Sequence, residues 1–160
     1  MKIKITFLLL FILIFPSCNN DTENIKLNNF FNHQFESMLV DYPESGTYIG
    51  RHENNDKLTD MSLLAIKARH NKNIKSLKEI NNINRSMLSE SNKVNYDLYV
   101  HKLKQSIDGF EYMSYLMPID QLGGIQISAA NLVGVTPFHN LKDYDNYLNR
   151  LKALPKKIKE

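Results

Sequence analysis

Apolar residues in this chain of 160 residues follow two patterns. From Ile5 to Phe15 they form a run broken only by Thr6. Beyond residue 24 they recur at spacings of three and four, which marks amphipathic helix. Leu27, Phe30, Phe31, Phe35, Met38 and Leu39 predict a first helix over 25–41. Pro43 ends it, because the residue before a proline is pushed out of helical geometry. "PESGTYIGRHENNDKLTD" is then predicted to be a loop, with Tyr48 and Ile49 packed inward. Leu63, Ile66, His70, Ile74, Leu77 and Ile80 predict a second helix, capped by Asp60 or Ser62. A third starts after Ser89 or Ser91, carries Val94, Leu98, His101, Leu103, Ile107 and Phe110 on its apolar side, and runs to Met113. Leu141, Tyr144, Leu148 and Leu151 predict a fourth, capped by Asn140 with Asp143 three residues on. Pro155 suits the first turn of another helix.

One stretch breaks the periodicity. "LMPIDQLGGIQISAANLVGVTPF" has two prolines and three glycines among apolar residues, with neither a helical nor an alternating period. It is too apolar for a solvated loop and too long for a turn, so it is expected to be pinned to the surface or to serve function. The fold expected is all-α: a bundle of about four long helices with one long irregular apolar loop. Residues 25–160 are read as part of a larger helical domain, since a helix begun at Pro155 would have one turn before the chain ends.

The first apolar run asks for a different reading. It spans about eleven residues, too few to cross about 30 Å of hydrocarbon at about 1.5 Å per residue. Lys2 and Lys4 precede it, and Ser17 and Cys18 follow, as in a secretory signal. "FPSC" looks like a bacterial lipobox, in which the cysteine becomes the lipid-bearing first residue; Phe15 departs from the commoner aliphatic residue. Cys18 is the only cysteine, so no internal disulfide competes for it. Residues 1–17 are thus read as a lipoprotein signal peptide, Cys18 as the lipid attachment point and 18–24 as a polar tether. The expectation is an exported protein held to a bacterial membrane by its acyl chains.

Charge adds little. The net charge of +3 falls to about +1 once Lys2 and Lys4 leave with the signal. There is no basic stripe interleaved with aromatics, so nucleic acid is not an expected partner.

Candidate chemistry is sparse. His52 and Glu53 open "HENND", but the position four after His52 is Asp56 in a polar loop, whereas a zincin motif needs two histidines on one helical face. Asp97 and His101 are four apart and can meet on one face, either as a carboxylate supporting a metal-bound imidazole or, more commonly, as a local hydrogen bond. His33, His70 and His139 lack ligand spacing, and no G-x-S-x-G context is present. The pair of glycines in "QLGG" allows close approach of backbone to a neighbour, which makes Gln121, Gly123 and Gly124 candidates for lining a cleft; a tight turn under packed helices is the plainer reading.

Five segments occur in a telling order: "DYPESGTYIG", "DKLTDMS", "NYDLYVHKL", "YLMPIDQLGG" and "TPFHNLKDYDNYLNRLKALP". Together they resemble the amino-terminal part of the bacterial domain of unknown function 885. The resemblance implies a mostly helical, exported lipoprotein whose complete relatives look like zinc metallopeptidases of the gluzincin kind. Their metal motif, His-Glu-x-x-x-Pro-Gly-His-His, lies far toward the carboxyl end and does not occur here. The resemblance therefore transfers no catalytic or metal residue to this chain. Zinc and a peptide substrate are expected of complete relatives only, and the chain by itself is expected to be inactive. The rival reading is a stand-alone helical envelope lipoprotein that binds a partner.

Overall fold

The computed structural model describes residues 19–160, with side chains from residue 22 onward. The signal segment and Cys18 lie outside the described residues. Four long helices carry the fold: α1 (Asn19–Asp41), α3 (Leu63–Ile80), α4 (Glu90–Gly109) and α6 (Leu141–Lys159). Two shorter ones, α2 (Pro43–Tyr48) and α5 (Ile125–Val135), sit between them. The fold is all-α, and no strand occurs among the described residues.

The caps follow from side-chain chemistry. Ser62 Oγ accepts from the backbone N–H of Ala65 at the start of α3, and Ser89 Oγ from that of Asn92 at the start of α4. Asn140 Oδ1 accepts from Asp143 N, while Asp143 Oδ2 accepts from His139 N and Asn140 Nδ2. Each satisfies helix N–H groups that have no partner inside the helix.

α1, α3 and α4 enclose the main core. Leu27 and Ile80 are fully buried, with Ile83, Leu88, Tyr96 and Leu103 packed around them. Tyr99 stands edge-on to Phe30, ring centroids 5.5 Å apart, and packs on Phe31 at 5.2 Å.

The structure corrects several expectations. α1 begins at Asn19, inside the stretch expected to be a tether. Its polar residues have tertiary partners: buried Glu23 accepts from Asn84 N at 2.7 Å, and Asn24 Oδ1 accepts from Ser89 N at 3.1 Å. The first of the expected loops opens instead with the six-residue α2, which Pro43 starts as a first-turn proline. Tyr48 and Ile49 are exposed rather than packed inward. On α4 the buried face is that of Tyr96 and Leu103, while Val94, Leu98 and His101 face solvent. α6 runs on through Pro155 instead of restarting there.

The irregular apolar stretch contains α5. Its apolar residues surround the helix rather than lining one side, so no period of 3.6 shows in the sequence. Leu132 is the residue it buries. The rest, from Leu116 to Gly124, is not helical beyond a 3₁₀ turn ending at Leu116, and Leu116, Met117, Ile119 and Leu122 are exposed.

α6 is inside out. Leu141, Tyr144, Leu148 and Leu151, its expected core stripe, are all exposed, Leu141 at 84%. Arg150, on the opposite side, is fully buried.

Candidate functional site

Arg150 is the centre of a polar junction between α6 and residues 43–59. Its Nε donates to Lys57 O at 2.8 Å. Its Nη2 donates to Thr47 Oγ1 at 2.8 Å, to Asn54 O at 3.2 Å and to Pro43 O at 3.5 Å. Nη1 is buried without a hydrogen-bond partner. Loop carbonyls have no helix or sheet to satisfy them, and a forked guanidinium can serve several at once. Burial lowers the Arg150 pKa from its ordinary value, and the Glu44 and Asp56 carboxylates work against that shift. It remains a cation, since an arginine does not deprotonate in proteins.

The loop has its own polar core. Thr47 Oγ1 donates to Asn55 Oδ1 at 2.7 Å, and Asn55 Nδ2 meets His52 Nδ1 at 3.1 Å. Gly46 is needed here for space: a Cβ would stand 3.0 Å from Arg51 O. Beside the junction, Glu44 pairs with Lys157 of α6 and accepts from both N and Oγ1 of Thr59 at 2.9 and 2.6 Å. Burial pushes the Glu44 carboxyl up, but the hydrogen bonds from Lys157 and Thr59 outweigh it and hold the group below the ordinary glutamate value. At the end of α6, Glu160 accepts from Met61 N at 2.8 Å.

Two cavities border this junction. One, of about 280 Å³, lies between the 115–128 segment and the last turn of α6, and Tyr115, Ile119, Gly124, Ile125, Ser128 and Lys157 contribute to its lining. The other, of about 150 Å³, shares Ile125, Ser128 and Lys157 with it and reaches Glu44 and Thr59.

Of the three glycine-turn residues singled out in the sequence, Gly124 lines the larger cavity. Gln121 is exposed and Gly123 half-buried. The turn is closed by Asp120, whose Oδ1 accepts from Leu122 N at 2.7 Å and Gly123 N at 2.6 Å, an Asx-type turn. Gly124 has φ +123°, a conformation that a side chain strains, and a Cβ there would sit 2.4 Å from Gln126 Oε1.

The histidines are dispersed. Asp97 spends both oxygens on Arg85, at 2.6 and 2.5 Å, so it serves the turn before α4 and not His101, which is exposed. The two therefore supply neither arrangement expected of them. His70 stacks on Phe110 at 3.9 Å. His33 and His139 are exposed. Among the described residues no three His, Cys, Asp or Glu side chains form a group able to hold a metal ion. The donor set that a catalytic zinc would need is thus not present among the described residues.

Sequence reasoning missed Arg150, Glu44, Thr47 and Lys157. By periodicity Arg150 and Lys157 fall on the side of α6 that should face water. The signal that marks Glu44, Thr47 and Arg150 is that they lie in "DYPESGTYIG" and "TPFHNLKDYDNYLNRLKALP", two of the segments that carry the family resemblance; Lys157 lies just past the second.

No helix among the described residues is long and apolar enough to cross a membrane. No curated protein and no solved structure matches the chain. A family described as bacterial protein of unknown function (DUF885) matches residues 43–160, from the first residue of α2 through the junction and both cavities. The chain belongs to that family.

Proposed function

We propose that this member of the DUF885 family is the amino-terminal helical portion of an exported, lipid-anchored hydrolase of the zinc-peptidase-like kind. Its part is to form one wall of a peptide cleft; the metal ligands come from elsewhere in such a protein. The observation that supports this most is the orientation of α6. Its polar side is docked on residues 43–59 through Arg150 and Lys157, and its apolar stripe from Leu141 to Leu151 faces outward. Helices bury an apolar stripe against another layer, and exposed apolar patches beyond a few hundred Å² mark interaction surfaces. Leu116, Met117, Ile119 and Leu122 are uncovered as well, Leu122 at 85% exposure. In this reading the cavity beside Gly124 is the cleft's inner face.

The anchor is Cys18, and the membrane is the partner it engages through acyl chains. Cys18→Ala should abolish incorporation of labelled fatty acid and release the protein from the membrane fraction. Equal labelling of variant and parent would remove the anchor from the proposal. The hydrolase part is tested in the DNA downstream of Glu160. A His-Glu-x-x-x-Pro-Gly-His-His run within a few hundred codons supports it. A stop with no remnant of that run supports the rival, a stand-alone envelope lipoprotein whose exposed apolar face binds a partner.

A further inference from the structure

A second concave surface lies where α1, α3 and α4 meet, and at one end it abuts the cavity beside Gly124, with which it shares Met61 and Tyr115. It consists of two cavities, of about 270 and 450 Å³, that adjoin through Tyr42, Arg69, Asn73 and Ser106, which line both. Neither the junction at Arg150 nor the Gly124 turn contributes to it.

Its charge is one-sided. Arg69, Lys72 and Lys102 line it, against Asp41 as its carboxylate. Asp41 is spent on Lys72 at 2.7 Å. Arg69 donates to Asp60 O at 2.8 Å and lies over the Tyr42 ring at 5.3 Å. Among the described residues neither Arg69 nor Lys102 makes a direct ion pair, although the Asp60 carboxylate is close enough to Arg69 to feel its charge. Arg69 and Lys102, on the facing helices α3 and α4, thus share one concave surface without a direct ion-pair partner, where low-dielectric walls focus the field.

The far end of the groove is aromatic. His70 stacks on Phe110 at 3.9 Å and Phe110 on Tyr115 at 5.2 Å, with ring planes within 26° of parallel in both pairs. His70 Nδ1 is buried with no hydrogen-bond partner. The side chains of Asn73 and Ser106 line the groove between the cations and the rings, where their amide and hydroxyl groups can donate and accept.

From this arrangement we propose that the groove binds an extended acidic peptide, with carboxylates on Arg69 and Lys102, backbone amides on Asn73 and Ser106, and an aromatic side chain against the Phe110 stack. The placement of the cations favours carboxylates over phosphate. Phosphate sites gather free backbone N–H groups at helix starts or glycine nests. Arg69, Asn73, Lys102 and Ser106 all lie inside helices, where the backbone N–H groups are already engaged. The inference does not depend on the hydrolase reading, since Arg69, Asn73, Lys102 and Ser106 lie outside the two cavities beside α6 and the binding needs no metal.

The test is isothermal titration of the full chain with acetyl-Glu-Phe-Glu-amide, its neutral counterpart acetyl-Gln-Phe-Gln-amide, and AMP. The acidic peptide should bind at least tenfold more tightly than the neutral one, and the preference should shrink as salt is raised from about 50 to 500 mM. Lys102→Gln, which removes no hydrogen bond or ion pair seen among the described residues, should cost about tenfold for the acidic peptide and leave the thermal melt unchanged. Arg69→Gln should cost at least as much. Equal binding of the two peptides, binding of neither, indifference to Lys102→Gln, or tighter binding of AMP would each overturn the proposal.

Discussion

The α1–α3–α4 core and the arm that ends in α6 both contain amphipathic helices but use them by opposite means. In the core, apolar stripes meet: Leu27 and Ile80 are fully buried, and aromatic rings of α1 and α4 interlock. In the arm, α6 turns Arg150 and Lys157 inward, and a buried guanidinium with an adjacent ion pair docks it, beside the ring contact of Tyr147 with Phe138. The core is stabilised mainly by removing apolar area from water, at about 25 cal/mol per Å². The junction is stabilised by satisfying loop carbonyls that would otherwise be buried without partners. Apolar packing tolerates conservative change, whereas a polar junction fails when one member is lost.

The largest effect should come from Arg150→Leu. It leaves Lys57 O and Asn54 O without their donor, at about 1–3 kcal/mol for each buried group, and loses the Thr47 contact as well. A total of about 3–5 kcal/mol is expected. Amide hydrogen exchange should show protection lost in α5, α6 and residues 43–60 while α3 and α4 keep theirs. Simultaneous loss in every helix would show that core and arm are one cooperative unit and that the contrast is only one of chemistry.

Leu27→Ala should come next, at about 2–5 kcal/mol for a fully buried leucine. Here the urea midpoint should fall for every probe together, because the core supports the rest. A midpoint that moves only for probes in the arm would contradict that order of dependence.

Glu44→Gln should cost about 1–3 kcal/mol at neutral pH, through loss of a charged partner for Lys157. The folded Glu44 carboxyl lies below its ordinary value, held there by Lys157 and Thr59 against burial. Its contribution is therefore complete above about pH 4.3, the unfolded glutamate value, and is lost as pH falls below that through the lowered folded value. The gap in urea midpoint between parent and variant should narrow over that acid range. An unchanged gap from neutral pH to about pH 3 would mean that the charge on Glu44 is not what the junction uses.

The smallest effect should be that of Leu148→Lys, within about 0.5 kcal/mol, since the side chain is already exposed. Binding of a hydrophobic dye should drop in the same variant. A loss of several kcal/mol would place the stripe in a core and undo the comparison from the other side.

Local chemistry was readable where it is set by nearby residues. The caps were expected at Asp60 or Ser62, at Ser89 or Ser91, and at Asn140, and Ser62, Ser89 and Asn140 fill them, because a side-chain oxygen needs only the backbone of the next turn. α5 was not readable, because periodicity reports one apolar face and α5 is apolar on nearly all sides. The candidate cleft was legible only in part. The glycine pair pointed to the turn at Gly124, but nothing near Arg150 in the chain announces that Pro43, Thr47, Asn54 and Lys57 converge on it from about a hundred residues away.

By itself the sequence determined that the chain is helical, where four long helices lie and how three of them are capped, since propensity, spacing and capping act within one or two turns. Tertiary structure decided which side of each helix is covered. A stripe of Leu141, Tyr144, Leu148 and Leu151 states only that one side is apolar; whether another layer meets it depends on the rest of the molecule. On α6 the contest was settled by Arg150, because a loop with several unpartnered carbonyls binds a guanidinium more specifically than it binds leucines.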